Sequence, residues 1–579
     1  MLLHCEAIGE KMNNKLLKRL TVFVLVLLLS FSAIGCRQDN GVQIDKTKTQ
    51  LYVMNYDGGF GHDWLDAVIT RFTAATENVE YTPGKFGVQI ITDNTKDDGI
   101  NLIKKVKSAT INEIFFTGNM VYYEWLSSEL MLDITDVVTN PNSFDVDNKT
   151  IESKMNKEQK DFFKYNEKYY ALPHGNAYFG INYDIDLFES KQLYYAINAA
   201  PSEDYALDKE EYGGFDDEYG VLYTGKGAKS AGPDGLHGTS DDGLPATYDE
   251  FFALCAYMKS TKGVTPFIWS GTYASFYVDY LLAALMSDYE GLEQSYLNYT
   301  FDGVAKNLIS VSDSGVITKL EETPITSESG YKIYATAGRY YALKFLENII
   351  KNNHAISSSF GSTSHTDAQS IYVNSSYNNK PIAFIVEGNW WVNEATSAFN
   401  YMETYYGEEY SKINRRFGFM PLPKATNEQI GEESTLFNTD ISYGFIKSNI
   451  DSSKVKLAKD FLRFCFTDIS MREYTVKSGG VQTLKYSLEQ EDLNQLSIYN
   501  KQVWDLHNNA KIVHPISTNQ IFRYDQFGFS LYNTFDTSVL SNACSAIYDN
   551  KATAESFFNG IVSKYNKTIW ESSYNRFFD

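Results

Sequence analysis

The segment PIAFIVEGNWW at residues 381–391 decides the fold prediction, because it joins a buried strand to the start of a helix. Residues 382–386 are wholly apolar, and Pro381 and Gly388 bound the run. A short apolar run with such boundaries is typical of a strand that is buried on both faces. Trp390 and Trp391 follow the strand directly, at the end where a parallel sheet presents its loops.

Strand and helix patterns alternate on both sides of this segment. A chain of 579 residues also exceeds the usual size of one hydrophobic core, so two or more lobes are expected. Strands that alternate with helices predict an α/β protein with parallel sheets. The predicted strands are residues 51–54, 85–91, 111–116, 382–386, 417–420 and 443–446, and the clearest helices begin at Asp63 (with Trp64, Val68 and Phe72 on one face) and cover 340–350 and 454–466.

The N-terminal residues resemble a lipoprotein signal peptide. Lys15, Lys18 and Arg19 precede an apolar run at 20–33, which is short for a membrane-spanning helix. The run ends in AIGC at residues 33–36, with Ala33 where Leu is commoner. We predict a signal peptide at 1–35, a lipidated Cys36 and a tether to residue 48. The alternative is a simple secretory peptide with an incidental cysteine.

Composition limits the possible ligands. The chain carries 73 Asp and Glu against 51 Lys and Arg, a net charge of -22, and this charge repels nucleic acids and anionic lipids. Its 43 Tyr and 7 Trp suit a cleft that holds a neutral solute between flat rings. The interior cysteines Cys255, Cys465 and Cys544 lack paired spacing, so we expect buried, unreactive thiols rather than disulfides or a zinc site.

Residues 200–246 break the α/β pattern, because they are rich in glycine and acidic residues. We predict an irregular insertion here. Its segment GPDGLHGTSDDG at 232–243 places Asp234, Asp241 and Asp242 among glycines, which would let carboxylates converge on a structural calcium ion. The spacing is not that of an EF-hand, and a solvated acidic turn is the alternative. No cofactor is required by any pattern in the chain.

Candidate ligand-binding residues follow predicted strands or lie in loops, where aromatic, amide and carboxylate groups can meet a solute. The motifs HExxH, GxSxG, Walker A and GxGxxG do not occur, so the sequence does not predict an enzyme. The candidates are Tyr56 and Asp57 in a glycine-rich loop, Asn119, His174 and Asn176 after Pro173, Trp269 and Tyr273, Trp390 and Trp391, with Arg416 and Asp440 as further candidates.

Six segments in fixed order resemble family 1 extracellular solute-binding proteins, the maltose-binding-protein-like sugar receptors of bacterial ABC importers. The resemblance extends from residue 51 to 466 and omits the 200–246 insertion and much of the C-terminal third. The segments are GFGHDWL at 59–65, LDITDVV at 132–138, YYALP at 169–173 with GINYD at 180–184, AFIVEGNWW at 383–391, FGFMPLP at 417–423 and AKDFL at 458–462.

The resemblance implies a type II periplasmic-binding-protein fold, with two discontinuous lobes and a ligand cleft between them. It places an N-terminal lobe at 49–173 and 443–490, and a C-terminal lobe at 174–442 and 491–579. It also implies chain crossovers near Pro173, Tyr443 and 485–495, and a tryptophan that stacks on the ligand at 390 or 391.

The implied function is capture of a carbohydrate, an oligosaccharide above all, for delivery to the permease subunits of an ABC importer. The receptor is expected to be a monomer on the extracytoplasmic face of the cell membrane, held there by its lipid alone. Two alternatives remain open: a surface glycoside hydrolase, and a receptor for a non-sugar solute such as a peptide.

Overall fold

The computed structural model describes residues 42–94, 102, 104, 106–107, 111–118, 122–197, 212–216, 221–439, 442–519 and 542–578. The proposed signal peptide, Cys36, Asn119 and Asp440 lie outside these residues. Residues 42–48 belong to a short N-terminal unit with a turn in which the Asp45 carboxylate accepts hydrogen bonds from Thr47. The main unit is Thr49–Asp579.

The first lobe is built on a five-stranded mixed sheet. Its strand order is Val88–Asp93, Thr49–Asn55, Ile114–Thr117, Tyr443–Ile446 and Ala171–Pro173. The first three strands are parallel, and Tyr443–Ile446 is antiparallel to both of its neighbours. The strand from the distant 443 segment thus completes a sheet begun at residue 49, so the lobe is discontinuous in sequence.

The second lobe is built on a four-stranded sheet, and the predicted apolar strand at 382–386 is one of its two inner strands. Its order is Thr265–Ile268, Ile382–Gly388, Phe179–Asp184 and Phe417–Phe419. Thr265–Ile268 is parallel to Ile382–Gly388, while Phe179–Asp184 is antiparallel to both of its neighbours. All seven residues of Ile382–Gly388 are buried, which explains the continuous apolar run.

Helices cover the faces of both sheets, and together the two lobes form the α/β, two-lobed type II fold that the resemblance implied. The prediction of parallel sheets was wrong in part, because Tyr443–Ile446 and Phe179–Asp184 each run antiparallel to both of their neighbours. Among the described residues, no helix is both long and apolar enough to span a bilayer. The helices are Asp63–Ala75, Tyr122–Ser127, Thr135–Thr139, Ile151–Lys154, Lys157–Phe163, Ile185–Lys191, Tyr248–Tyr257, Ala274–Thr300, Ala337–Lys351, His365–Ser375, Trp391–Glu394, Thr396–Tyr406, Val455–Cys465, Asp468–Ser478, Gln490–Gln495, Ile498–Asn509, Ala543–Tyr548, Ala554–Lys564 and Lys567–Phe578.

Three chain segments cross between the lobes side by side. Gly175–Asn176 pairs antiparallel with Val481–Gln482, and the Ser442 hydroxyl both accepts from the Gly175 N–H (2.9 Å) and donates to its carbonyl (2.7 Å). A Cβ at Gly175 would lie 2.6 Å from the Tyr474 hydroxyl oxygen, so a larger residue there would have to displace that side chain. These bonds define a hinge beneath the space between the lobes.

The prediction that 200–246 is irregular was wrong in part. Tyr212–Asp216 and Val221–Thr224 form antiparallel strands, and Tyr194–Tyr195 completes their three-stranded sheet. Tyr223 is fully buried and stacks on Tyr257 with ring centroids 4.1 Å apart. Tyr223 therefore attaches the insertion to the second lobe, despite the many glycines of this segment.

Candidate functional site

A closed cleft lies between the lobes, directly above the hinge. Its volume is about 160 Å³, below the roughly 300–1,000 Å³ that is usual for ligand pockets. It meets the carboxyl ends of first-lobe strands and the carboxyl end of Ile382–Gly388, where α/β proteins commonly bind ligands. Its lining consists of Asn55, Tyr56, Asp57, Gly58, Phe60, Trp64, Phe116, Thr117, Gly118, His174, Gly175, Ala177, Tyr280, Trp390, Thr439, Ser442 and Tyr474.

The first-lobe wall of the cleft is the loop that contains Tyr56 and Asp57. The Asp57 Oδ1 accepts a hydrogen bond from the Gly61 N–H at 2.8 Å, and its Oδ2 lies 3.8 Å from the His62 Nε2. The Tyr56 N–H donates to the Phe116 carbonyl at 2.9 Å, which joins the loop to the neighbouring strand end. The loop therefore holds a carboxylate at the cleft with one oxygen already oriented by backbone.

The floor of the cleft is the His174 imidazole, packed among aromatic rings. Trp64, Phe116 and Tyr474 lie with their ring centroids 5.0, 4.9 and 5.2 Å from it. Burial lowers the His174 pKa to about 3, so the ring is neutral at physiological pH. The Gln482 side-chain nitrogen Nε2 lies 3.2 Å from the His174 Nδ1. Because an amide NH2 group can only donate, Nδ1 accepts and the ring proton is on the His174 Nε2.

The second-lobe wall is Trp390, which is half-buried and reaches across to the first lobe. Its ring lies edge-on to Phe60 at 5.9 Å and tilted against Phe179 at 6.0 Å. A Cβ at Gly59 would lie 2.3 Å from the Trp390 Cδ1, so the glycine allows this close approach. The lobes are therefore in contact across the cleft, and the cleft is closed in this conformation.

Three aromatic candidates from the sequence do not line the cleft. Trp391 is fully buried and packs edge-on against Tyr372 and Phe417, in the core of the second lobe. Trp269 is 1% exposed and packs against Phe360, and Tyr273 is 43% exposed outside the cleft lining. The two tryptophans therefore pack inside the second lobe, Tyr273 lies outside the cleft lining, and the structure places none of these three candidates at the cleft.

Two polar candidates also lie elsewhere. The Asn176 side chain is buried in the hinge and donates to the Gln482 carbonyl at 3.5 Å, and it is not among the residues that line the cleft. Arg416 forms hydrogen bonds with Asp186 at 2.7 Å and Glu189 at 2.6 Å on the surface of the second lobe. Neither residue can contact a solute in the cleft.

The carboxylates of the 232–243 loop accept hydrogen bonds from other groups of the same loop. The Asp241 Oδ2 accepts from the Asp234 N–H at 3.0 Å, and its Oδ1 accepts from the Thr239 hydroxyl at 2.5 Å. The Asp242 Oδ2 accepts from the Gly238 N–H at 2.8 Å. Within the described part of the chain, no group of three or more His, Cys, Asp or Glu side chains is placed to hold a metal. Calcium binding by this loop stays a prediction.

Sequence reasoning did not single out Phe60, Phe116, Tyr280, Thr439 or Tyr474 as cleft residues. Phe60 lies in the same glycine-rich loop as Asp57, and that loop was a usable signal. Tyr280 and Tyr474 lie inside long helices, where their spacing is that of ordinary packing residues. Only the fold brings these two helices to the cleft.

The lining chemistry suits a neutral, hydroxylated ligand. Aromatic faces contact the weakly polar C–H faces of such a molecule, and amide, hydroxyl and carboxylate groups bond its hydroxyls. Among the described lining residues, Asp57 is the single carboxylate, and His174 is neutral. Hydrolysis of a glycosidic bond would require two carboxyl groups across the bond, which this lining does not supply.

Comparison with known proteins shows the fold and leaves the family open. No protein-family model matches the sequence, and no curated protein matches it. One similar solved structure comes from a study of xylan utilization by the thermophilic bacterium Caldanaerobius polysaccharolyticus, with 13% identity and a TM-score of 0.52, covering 89% of this chain and 100% of that chain. Another is a chitin oligosaccharide binding protein, with 12% identity and a TM-score of 0.50, covering 91% and 99%.

Proposed function

We propose that this protein is an extracellular solute-binding lipoprotein that captures a neutral carbohydrate, above all an oligosaccharide, for an ABC importer. The observation that carries the proposal is the cleft between the lobes. Trp390 and Phe60 from opposite lobes meet edge-on at the cleft, a neutral His174 forms its floor, and Asp57 is the single carboxylate among the described lining residues. The resemblance of the sequence to sugar receptors and the chitin oligosaccharide binding protein of the same fold support it.

Capture would require the cleft to open. A volume of about 160 Å³ leaves no room for an oligosaccharide between the touching lobes. The hinge at Gly175–Asn176 and Val481–Gln482 lies where rotation would part Trp390 from Gly59. Closure on a bound sugar would then exclude water from its hydroxyls and strengthen each hydrogen bond.

The cleft favours this function over the two alternatives. A glycoside hydrolase would need a second carboxyl group opposite Asp57. A peptide receptor would need charged groups to pair with both peptide termini, and the described lining offers one acid and no cation, since His174 is neutral.

The experiment is a thermal-shift screen of the chain from residue 37 onward, against neutral xylo- and chito-oligosaccharides and against short peptides. A ligand that binds only the folded state raises the melting temperature as its concentration rises. We expect stabilisation by at least one neutral oligosaccharide, with no shorter sugars appearing on chromatography. Stabilisation by peptides alone, or release of sugar products, would contradict the proposal.

The lipid anchor has its own test. Cys36 closes the apolar run of the signal peptide, where a lipobox places the modified thiol. Cys36→Ala is therefore expected to release the protein from the membrane fraction of producing cells. Unchanged membrane retention of this variant contradicts the anchor and leaves the cleft proposal intact.

A further inference from the structure

A row of tyrosines, three exposed and two half-buried, lies at the end of the second lobe that faces away from the cleft. Tyr377 precedes the strand Ile382–Gly388, and Trp390 follows the opposite end of that strand. Tyr401 and Tyr405 are 49% and 68% exposed, and Tyr377 is 43% exposed. We call the set of Tyr377, Tyr401, Tyr405, Tyr406 and Tyr410 the tyrosine row.

The rings of the tyrosine row are close enough to act as one surface. Ring centroids lie 4.7 Å apart for Tyr401 and Tyr405, and 6.1 Å apart for Tyr401 and Tyr406. Tyr377 lies 3.9 Å from Tyr406 and 5.7 Å from Tyr410. The planes of contacting rings are inclined to one another by 37° to 87°, so the five phenols form one continuous aromatic cluster, whose most exposed rings are Tyr401 and Tyr405.

An open groove continues from the Tyr410 end of the tyrosine row. Its volume is about 920 Å³, within the usual range for ligand pockets and far above the 160 Å³ of the cleft. Carboxylates, amides and hydroxyls line it, including Glu408, Asn379 and Asn414. The Ser376 hydroxyl oxygen, beside Tyr377, is buried and has no hydrogen-bond partner in the structure.

The charges of the groove favour an uncharged occupant. Four carboxylates (Asp184, Asp186, Glu408, Glu409) and three cations (Lys191, Lys262, Arg415) line it, so they nearly cancel on a chain of net charge -22. At the floor, Arg415 and Asp184 form a buried ion pair at 2.6 Å, which removes two of these charges from any ligand. An anionic polymer or an anionic membrane would meet no basic surface here.

We propose that the tyrosine row and its groove are a second carbohydrate site, which holds an extended neutral polysaccharide on the outer surface of the second lobe. The exposed rings of this cluster can contact the C–H faces of sugar rings, and the polar groove beside them can bond sugar hydroxyls. An open groove, unlike the closed cleft, places no limit on chain length. The site would concentrate long substrate beside the receptor, and it does not depend on what the cleft binds.

The test is native affinity electrophoresis in gels that contain soluble xylan, glycol chitin or mixed-linkage glucan. We expect at least one polymer to retard the wild-type protein. In Tyr401→Ala/Tyr405→Ala the apparent affinity should fall by about tenfold or more, because loss of central aromatic contacts commonly costs this much. Both side chains are exposed, so the melting temperature should stay unchanged. Phe86→Ala, which removes an aromatic ring 58% exposed on the first lobe, is the matched control and should behave as wild type.

The same gels distinguish the cleft site from the surface site when single-site variants are compared. Trp390→Ala should keep its retardation by the polymer, whereas the double tyrosine variant should keep its thermal shift with short oligosaccharides. The proposal is overturned if none of the three polymers retards the wild type, if the double variant is retarded equally, or if Trp390→Ala abolishes retardation. Sedimentation showing a wild-type dimer that the double variant dissociates would also overturn it, because the row would then be a self-association surface.

Discussion

At the residue scale, the sequence located the cleft tryptophan only to within one position. Trp390 and Trp391 are adjacent at the start of a short helix, where neighbouring side chains point in different directions. Trp390 lines the cleft and Trp391 enters the core, and no pattern in the sequence distinguishes the two. The same limit explains Trp269, because a buried tryptophan and a ligand-binding one look alike without the fold.

Alanine substitutions at Trp390 and Trp391 provide a matched experiment. Removing the Trp390 ring from the cleft should weaken oligosaccharide affinity by about 30- to 1,000-fold, or about 2–4 kcal/mol, as at binding hot spots. Trp391→Ala should instead destabilise the fold by about 3–5 kcal/mol, because it opens a cavity in the core. Calorimetric titration and thermal unfolding of both variants check this. Wild-type affinity in Trp390→Ala, with the fold intact, would place the sugar elsewhere.

At the element scale, strands were predicted better than the surfaces that helices present. The apolar strand at 382–388 and the strand at 443–446 are visible in the sequence because burial on both faces imposes continuous apolar residues. Tyr280 and Tyr474 reach the cleft from helices whose buried residues otherwise pack in cores. Which helix residue faces the cleft depends on contacts between the lobes. The spacing of apolar residues along a helix does not predict those contacts.

The acidic loop at 232–243 is the element whose role is testable on its own. If Asp234, Asp241 and Asp242 bind calcium, the ion stabilises the folded state and its removal lowers the melting temperature. The expected result is a fall on treatment with chelator that added calcium restores and that Asp241→Asn abolishes. An unchanged melting temperature would leave the loop as a turn held by the hydrogen bonds that its own carboxylates accept.

At the scale of the whole molecule, the fold class and two-lobed organisation were predictable, since alternating buried strands and helices leave few architectures. The closed state of the cleft was not predictable. It depends on the approach of Trp390 to Gly59 and on a hydrogen bond from the Asn393 amide to the Ser478 carbonyl. Such contacts join residues of different lobes, and they impose no periodic pattern on the sequence of either lobe.

Buried titratable groups predict how stability depends on pH. Burial lowers the pKa of His174 to about 3 and of His354, His507 and His514 to about 4, so the unfolded chain binds more protons below pH 6.5 and stability falls as pH drops.

Burial has the opposite consequence for two acids. It raises the pKa of Glu290 to about 7 and of Glu387 to about 8, so the folded chain binds more protons and stability falls as pH rises above about 4.5. We therefore expect a maximum of thermal stability between about pH 6 and 7. Glu387→Gln should reduce the fall on the alkaline side, and a melting temperature that keeps rising to pH 9 would contradict this.

The central claim is that the cleft between the lobes holds a neutral carbohydrate. A crystal structure of the chain with its best-stabilising oligosaccharide tests this most directly. We expect one sugar ring against the Trp390 indole, with hydroxyls bonded to Asp57 and the His174 Nε2. An empty cleft in crystals that contain bound oligosaccharide elsewhere on the chain would contradict it.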